Sequence, residues 1–583
     1  MGRARVLPAI ISGVNIERKP VRIALAQINP TVGAIAANAE LCVEWIGRAV
    51  DAGADLVVLP ELAITGYPPE DLLLKTHFLD EAEAAVETVA AATTGIVALV
   101  GAPHRDPALR NGLQVLADGR LVARYAKSLL PNYGVFDERR YFEPGDGAAL
   151  IELAGVRIGL TICEDIWLPG PPTSTAALAG AALILNASAS PYHRGKGLRR
   201  ERMVAERARE NEVALALCNT IGGQDELIFD GHSVVVGADG STRARATQFE
   251  QQLLLCDLEL PVGLPAGADP DRARLLASFD GSAREPAPPR NAPIAAIAPL
   301  LDDVAEVYSA LRLGLGDYIS KNGFSHAVLG LSGGIDSALV AMLAVDALGA
   351  DVVTCVVMPS PHSSSETQDD AHAIAANLGC ESIEIGIEPV MKAYEAALAG
   401  PFEGTAPDVA EENLQARIRG NMVMALSNKF GWLPLSTGNK SEMSVGYATL
   451  YGDMAGGLAV IKDVPKVLVY QLVRHRNEVA GRALVPVSVI ERPPSAELRP
   501  DQRDTDSLPP YEILDRALQE YVERDGGVES MVAAGIDREI AERVVALVDR
   551  AEYKRRQAPP GLRITPKAFG RDRRLPITNR FGR

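Results

Sequence analysis

The chain has 583 residues, of which 47% are apolar and 23% are charged, and its net charge at pH 7 is −17. This length exceeds what one hydrophobic core supports, and a domain size of about 150 residues predicts two to four domains. The negative charge argues against nucleic acid as the main partner, and no apolar run reaches the roughly 18 residues of a membrane span. We therefore expect a globular protein of the cytoplasm, not bound to a membrane.

The cysteines and histidines narrow the chemistry further. Six cysteines form no C-x-x-C pair and are too sparse to cross-link a chain of this length, which favours reduced thiols and argues against metal–thiolate sites. Eight histidines without an H-E-x-x-H spacing argue against the common zinc hydrolases. Any catalytic cysteine is therefore expected to act as a free thiol.

The first half of the chain alternates apolar strands with helical stretches. Residues 1–20 lack a small-residue cleavage pattern and are predicted to be an N-terminal extension rather than a signal peptide. Strands are predicted at 21–26, 55–59, 95–101, 112–116, 156–163 and 182–186. Their near-continuous apolar character indicates a buried sheet. We therefore predict an α/β domain over residues 21–260.

Three reactive side chains stand at the ends of apolar strands in this domain. Glu61 follows 56–60, Lys127 follows 121–126, and Cys163 ends the strand at 158–162. Open α/β sheets place their chemistry at such strand ends. A carboxylate can take the thiol proton, and an ammonium can stabilise both thiolate and oxyanion. A cysteine on a buried strand is, however, usually a small apolar residue, so the neighbouring sequence has to decide.

The amino-acid sequence around these residues resembles the three active-site segments of the nitrilase/amidase family. The segments are Leu-Pro-Glu-Leu-Ala-Ile-Thr-Gly-Tyr at 59–67, Tyr-Ala-Lys-Ser-Leu-Leu-Pro-Asn-Tyr at 125–133 and Thr-Ile-Cys-Glu-Asp-Ile-Trp at 161–167. The resemblance implies a four-layer αββα sandwich. It also implies hydrolysis of L-glutamine, with Cys163 as nucleophile, Glu61 as general base and Lys127 as the stabilising cation.

The same resemblance points to a glutamine pocket. Tyr133 follows the Lys127 segment, and Ser190 and Lys196 match positions where similar enzymes hold the amino-acid head group. Glu138 or Glu143 could orient Lys127 as an additional acid, and the sequence does not choose between them. Cys218 is predicted to be a core residue.

Residues 261–300, rich in Pro, Ala and Gly, are predicted to be a linker with little structure. A second series of strands follows, at 326–330, 351–358, 382–387 and 433–436, with a helix ending at 377. This alternation is typical of a doubly wound parallel sheet. We therefore predict a second α/β domain over residues 301–583.

A glycine turn joins the first of these strands to a helix. It consists of Gly330, Leu331, Ser332, Gly333, Gly334, Ile335, Asp336 and Ser337. Paired glycines let backbone N–H groups approach a phosphate at the positive end of the helix, where the serine hydroxyls add donors. The turn lacks the Gly-Lys-[Ser/Thr] of a Walker A loop and the G-x-G-x-x-G of a dinucleotide fingerprint. It resembles the S-G-G-x-D-S loop of ATP pyrophosphatases.

Four later segments resemble those of glutamine-dependent NAD synthetases, a resemblance that then covers nearly the whole chain. They lie at 412–419, 435–442, 449–453 and 552–556. The resemblance implies that ATP adenylates deamido-NAD and that ammonia from glutamine displaces AMP. Residues 330–337 and Thr437 would bind ATP, and Asn413, Glu442 and Lys554 would contact deamido-NAD.

Asp336 and Glu442 would hold Mg²⁺, a hard cation that prefers carboxylate oxygens beside phosphates. Arg419 and Lys466 are further candidates for phosphate contact. One departure stands out: relatives that use only free ammonia have Lys where this chain has Leu450. The resemblance further implies a homo-oligomer. Because ammonium has no free lone pair for attack, a sealed ammonia route from Cys163 to the loop at Ser332 is also expected.

The C-terminal residues 554–583 carry ten Lys and Arg residues against one acid, Asp572. They form either a solvated tail or an arm that grips phosphate or docks on a subunit. Two other functions remain open at this point. One is another glutamine-fed adenylating amidoligase, and the other is a catalytically inactive metabolite-binding protein.

Overall fold

The structure is a computed structural model that describes residues 17–264, 273–280, 296–499 and 502–581. Most of the predicted N-terminal extension and two parts of the predicted linker, 265–272 and 281–295, lie outside the described residues. No helix within the described ranges is both long and apolar enough to cross a bilayer.

The first half of the chain contains fifteen described strands. They are β1 Arg18–Gln27, β2 Leu56–Val58, β3 Val97–Arg105, β4 Leu109–Ala117, β5 Arg120–Ala126, β6 Ala148–Leu153, β7 Val156–Ile162, β8 Leu183–Ser188, β9 Ala214–Asn219, β10 Ile221–Gln224, β11 Leu227–Asp230, β12 Val234–Val236, β13 Thr242–Arg245, β14 Gln252–Pro261 and β15 Ala273–Phe279. Four helices accompany them: α1 Ile35–Asp51, α2 Thr76–Ala91, α3 Thr173–Leu178 and α4 Lys196–Asn211.

These elements form the predicted αββα sandwich. One sheet has the order β14-β1-β2-β3-β4-β5 and the other β13-β12-β9-β8-β7-β6-β15. Apolar residues of both sheets, such as Leu25 and Leu160, share one buried cluster between them. The outer faces are covered by α1 and α2 on the first sheet and by α3 and α4 on the second. Both strand faces are thus buried, which explains the continuous apolar runs.

The predicted linker contains a strand, so the expectation of little structure across 261–300 is wrong at Ala273–Phe279. This strand, β15, pairs in parallel with β6 and forms the edge of the second sheet. Its first partners are Ala273 and Ala148. The expectation was based on the Pro- and Gly-rich residues around this strand. The strand forms because it pairs with β6, which is distant in sequence and leaves no local signal.

The second half contains five described strands and twelve described α-helices. The strands are β16 Ala327–Gly330, β17 Val353–Val357, β18 Glu381–Glu384, β19 Leu433–Ser436 and β20 Leu458–Ala459. The helices are α5 Asp303–Lys321, α6 Ile335–Leu348, α7 Ser365–Leu378, α8 Glu388–Leu398, α9 Val409–Phe430, α10 Lys440–Val445, α11 Lys466–Ala480, α12 Val487–Glu491, α13 Tyr511–Leu518, α14 Val528–Ala533, α15 Arg538–Arg550 and α16 Glu552–Arg555.

The five strands form a parallel sheet in the order β18-β17-β16-β19-β20, as predicted for a doubly wound fold. Helices α5, α6 and α11 pack on one face, and α9 packs on the other. The order in which strands are added reverses at β16: β17 and β18 lie on one side of it, and β19 and β20 lie on the other. Such a switch point leaves a crevice at the carboxyl end of the central strand.

Helix α5 joins the two halves by packing on the β10–β11 hairpin. The Asp317 carboxylate accepts hydrogen bonds from Gly223 N (2.6 Å) and Asn29 Nδ2 (2.8 Å). Lys321 Nζ donates to Gly223 O (2.9 Å). Beside these polar contacts, Tyr192 of the first half lies in the apolar cluster of α5, with Leu311. The interface is therefore both apolar and hydrogen-bonded.

The basic C-terminal segment also bridges the halves, so a freely solvated tail is wrong for much of it. Arg563 N donates to Glu226 O (2.9 Å), and its guanidinium pairs with Asp572. Arg571 forms a salt bridge with Glu70 in the first half. Arg573 is buried against Asp549. Several basic residues of this segment thus form ion pairs within the chain. That the segment also grips phosphate or docks on another subunit stays a prediction.

Candidate active sites

Glu61 and Lys127 meet in the interior of the sandwich, as their positions at strand ends predict. Lys127 Nζ lies 2.7 Å from Glu61 Oε1, and both side chains are fully buried. Asn111 Nδ2 (2.8 Å) and Ala189 N (2.9 Å) also donate to Glu61. Three donors thus fix this carboxylate in one orientation, as a general base requires.

The structure chooses Glu138 over Glu143 as the second carboxylate. Glu138 Oε1 lies 2.8 Å from Lys127 Nζ and accepts a hydrogen bond from Tyr67 OH (3.0 Å). Glu143 is exposed instead. Burial would lower the pKa of Lys127, but Glu138 and Glu61 outweigh it and raise that pKa well above its ordinary value. Lys127 therefore stays a cation at neutral pH.

Cys163 lies beside this group, at the turn where β7 ends. Its φ of +40° is in the left-handed region, which is costly for a residue with a side chain and recurs at functional sites. Burial raises the pKa of the Cys163 thiol well above its ordinary value, Glu61 raises it further, and Lys127 lowers it. The resting thiol is therefore neutral, and its proton has to leave as it attacks.

Asp165 holds the Cys163 turn against the Lys127 strand, a role that sequence reasoning missed. Its carboxylate accepts hydrogen bonds from Ile162 N (2.9 Å), Leu129 N (2.8 Å) and Tyr125 OH (2.7 Å). Burial raises its pKa to about 6. The sequence held a signal for this role, because Asp165 lies with the nucleophile in the segment 161–167.

The predicted glutamine-binding residues lie in different environments. Ser190 is buried, and its hydroxyl has no hydrogen-bond partner within the described residues. Lys196 Nζ lies 5.3 Å above the Trp167 ring. Burial lowers the pKa of Lys196 to about 8. An opposite charge stabilises a desolvated ammonium, so this group favours a carboxylate ligand, such as that of an amino acid.

Tyr133 is 58% exposed and donates to Glu164 (3.0 Å). Burial raises the pKa of Glu164, and the Tyr133 hydroxyl partly offsets this. Glu164 was not assigned from the sequence, although it directly follows the nucleophile. Glu164 can supply a negative charge and Lys196 a positive one, a pair that suits the ammonium and carboxylate groups of an amino acid.

In the second half, the predicted phosphate loop lines a cavity of about 330 Å³. All eight residues of 330–337 line it, and so do Thr437, Glu442, Arg419 and Lys466. Gly333 has φ +78°, and a Cβ there would lie 2.1 Å from Thr367 O. Only glycine fits this turn, which leaves the loop at the N-terminus of α6.

Asn413 and Lys554, which were predicted to contact deamido-NAD, do not line the cavity. They hold the loop 446–449, part of which lines it. Asn413 Oδ1 accepts a hydrogen bond from Thr449 Oγ1 (2.7 Å). Lys554 Nζ donates to Gly446 O and Ala448 O (both 2.8 Å). Of these loop residues, Ala448 lines the cavity.

Three polar residues of this site were not assigned from the sequence. Asn439 Nδ2 donates to Asp336 Oδ1 (3.0 Å). Arg492 forms a salt bridge with Asp370 and lines the cavity. Asp504 also lines it, and its Oδ1 atom is buried without a hydrogen-bond partner among the described residues. Arg492 and Asp504 lie in segments without a motif, so only the fold brings them here.

The donor set fits Mg²⁺ held jointly by protein and nucleotide. Asp336 and Glu442 both line the cavity, and the orphaned Asp504 oxygen adds negative charge. Within the described ranges, no group of three or more His, Cys, Asp or Glu side chains is arranged to hold a metal. One or two carboxylates completed by phosphates and water are what Mg²⁺ commonly uses.

The fold and the two sites define a two-domain enzyme that joins a cysteine amidase to a nucleotide-binding ligase. Residues 22–263 match the carbon-nitrogen hydrolase family, and residues 307–558 match the NAD synthase family. The chain is 46% identical to the glutamine-dependent NAD(+) synthetase of Thermotoga maritima over 97% of this chain and 99% of that one. For the protein of Aquifex aeolicus, the identity is 44% over 96% and 100%.

Solved structures agree with these sequence matches. The glutamine-dependent NAD+ synthetase of Acinetobacter baumannii, in complex with ADP, is 38% identical with a TM-score of 0.74, covering 96% of this chain and 99% of that one. The synthetase of Cytophaga hutchinsonii, at 22% identity and a TM-score of 0.79, supports the fold alone over 96% and 98% of the two chains. The chain therefore belongs to the glutamine-dependent NAD(+) synthetase family.

Proposed function

We propose that this enzyme converts deamido-NAD to NAD with ATP and with ammonia taken from L-glutamine. Residues 21–260 would release the ammonia and residues 301–583 would use it. The observation that carries the proposal is the Lys127 ammonium between two buried carboxylates beside Cys163, in the same chain as a phosphate-loop cavity. A catalytically inactive binding protein has no need to keep this costly buried charge cluster.

In the first site, the Cys163 sulfur attacks the side-chain carboxamide carbon of glutamine while Glu61 takes the thiol proton. Lys127 stabilises the negative oxygen that forms. Glu61 then gives the proton to the departing nitrogen, which leaves as ammonia. Water, deprotonated by Glu61, cleaves the remaining glutamyl thioester and restores the thiol as glutamate leaves.

In the second site, a carboxylate oxygen of deamido-NAD attacks the α-phosphorus of ATP, and pyrophosphate leaves. Ammonia then attacks the activated carbonyl carbon, AMP leaves, and one proton is lost. The loop at Gly333 and the helix N-terminus behind it would hold the phosphates. Arg419, whose pKa burial lowers to about 10, remains a cation that can face phosphate.

Mg²⁺ held by Asp336 and Glu442 would neutralise phosphate charge during the first of these two steps. We also propose that the enzyme is a homo-oligomer and that ammonia travels from Cys163 to the Ser332 loop without entering bulk water. The direct contact of α5 with the β10–β11 hairpin is consistent with this proposal only in that it holds the two halves of the chain together.

A Cys163→Ala variant tests the division of labour. We expect it to lose NAD formation from glutamine while keeping formation from ammonium salts within about twofold, measured as NAD, AMP and glutamate by mass spectrometry. Cys218→Ala is the matched control, because Cys218 is equally buried in the same sandwich and its thiol donates to the backbone oxygen of Ala26 (3.4 Å). Loss of both activities in Cys163→Ala would reject the proposal, and AMP formed without deamido-NAD would indicate a different acceptor.

A further inference from the structure

Lys466 occupies the position between the two candidate metal-binding carboxylates. Its Nζ lies 2.5 Å from Asp336 Oδ2 and 2.9 Å from Glu442 Oε1. The lysine side chain is 3% exposed, whereas each carboxylate is 18% exposed toward the cavity. The ammonium thus lies deeper than its partners and joins residues from α6, α10 and α11.

The local backbone does not favour a cation at this position. Lys466 is the first residue of α11, whose N-terminus carries partial positive charge, and the first N–H groups there already donate to Ser441 Oγ (2.9 Å) and Asp515 Oδ2 (2.9 Å). A lysine is destabilised there unless anions compensate it. Asp336 and Glu442 supply that compensation, so the three charges form one mutually dependent group.

We propose that Lys466 is a resident counter-ion that fills the metal position until the triphosphate arrives. It pairs Asp336 and Glu442 and thereby prevents a free divalent cation from binding to the empty enzyme. This inference rests on the proposed function, since it concerns how that same site takes up its nucleotide. It predicts that metal and ATP enter together rather than metal first.

Asn439 orients the Asp336 carboxylate independently of the lysine and also holds the backbone that carries Glu442. Asn439 Nδ2 donates to Asp336 Oδ1 (3.0 Å), and Asn439 Oδ1 accepts from Glu442 N (3.0 Å). Tyr511 OH approaches Glu442 Oε1 at 3.4 Å. Removing the ammonium should therefore leave a preformed pair of anionic oxygens rather than a collapsed site.

The cavity also offers the ammonium another partner once nucleotide is present. Lys466 and the phosphate loop of residues 330–337 line the same cavity. A flexible lysine stem carries a point charge that can turn from a carboxylate to a phosphate. The exchange would keep Lys466 neutralised while it frees the carboxylate oxygens.

Binding of Mn²⁺, followed by electron paramagnetic resonance on the full chain, tests the inference. Without nucleotide, we expect the natural protein to bind Mn²⁺ weakly and to gain a site on addition of α,β-methylene-ATP. Lys466→Met should bind Mn²⁺ without nucleotide at least about tenfold more tightly, because one positive charge near the ion is removed. Lys466→Arg keeps the charge and should behave like the natural protein.

A double variant provides the matched control. Lys466→Met combined with Glu442→Gln should lose the gained Mn²⁺ site, because one carboxylate becomes neutral at unchanged shape. Folding of each variant is checked by circular dichroism and thermal melting. Tight Mn²⁺ binding to the natural protein without nucleotide would overturn the inference by itself, even if Lys466→Met fails to fold. Equal Mn²⁺ affinity of a folded Lys466→Met would also overturn it.

The failure of the proposed function has a different signature. In that case, the natural protein would form no AMP from ATP, deamido-NAD and ammonium salts, whatever its Mn²⁺ affinity. Normal AMP formation with unchanged metal binding in Lys466→Met would reject only the counter-ion role.

Discussion

The choice between Glu138 and Glu143 gives the sharpest test of the glutaminase site. Glu138→Gln keeps the size and one acceptor oxygen of the side chain but removes its charge. In the natural protein, Glu138 Oε1 accepts from Lys127 Nζ at 2.8 Å and from Tyr67 OH at 3.0 Å. Lys127 would keep its contact with Glu61, so we expect the variant to fold.

The size of the effect follows from the lost charge assistance. A hydrogen bond to a charged group contributes about 1.5–3 kcal/mol. If that energy positions Lys127 for the transition state, its loss slows glutamine hydrolysis by roughly 10- to 150-fold, since each 1.36 kcal/mol is about a factor of ten. The second site does not involve Glu138, so synthesis from ammonium should change by less than about twofold.

The assay measures glutamate release and NAD formation in parallel, with glutamine or ammonium chloride as nitrogen source. Glu143→Gln is the control, because its side chain is exposed and should leave both rates unchanged. The reasoning fails if Glu138→Gln hydrolyses glutamine at the natural rate. It also fails if the ammonium-driven rate falls equally, because Glu138 would then support the fold rather than Lys127.

Three further outcomes are expected. Glu164→Gln should raise the KM for glutamine by about tenfold, the equivalent of 1.4 kcal/mol, with kcat for ammonium unchanged; an unaltered KM would remove Glu164 from the pocket. Because burial lowers the pKa of Lys196 to about 8, its ammonium is charged below pH 8, and the KM for glutamine should rise above pH 8. Lys196→Arg should abolish that rise. The same dependence of KM on pH in the natural protein and in the variant would contradict a glutamine-binding role of Lys196. Gly333→Ala, whose Cβ would meet Thr367 O at 2.1 Å, should abolish AMP formation while glutamate release continues. NAD synthesis at the natural rate in this variant would refute the requirement for glycine in this turn.

Strand ends made the reactive residues of the first site predictable. Glu61, Lys127 and Cys163 each follow an apolar run; the first two extend β2 and β5 of one sheet, and the third extends β7 of the other. The choice between Glu138 and Glu143 was not predictable, because both lie in one loop and only its path decides which carboxylate points inward. The same holds for Asn111, which reaches Glu61 from β4 without any local signal.

The second site shows the same limit over longer separations. The phosphate loop was predictable because its strand, glycines and helix are contiguous in sequence. Lys466 and Asp336 are 130 residues apart, and their contact depends on how α11 packs beside α6. Strand β15 is similar, since its partner β6 lies more than a hundred residues earlier. Pattern rules report local preference, and these contacts are consequences of tertiary packing.

The loop after β8 links the predicted glutamine pocket to the second half of the chain. Ser190 and Lys196 of the predicted glutamine pocket lie at its ends, and Tyr192 between them is fully buried among residues of the second half. Arg194 N in the same loop donates to Ile564 O of the C-terminal segment (2.9 Å). Because packed interiors respond to displacement as a unit, a shift of α5 or of the C-terminal segment reaches the glutamine pocket within four residues. The predicted glutamine pocket is therefore attached directly to the second half of the chain.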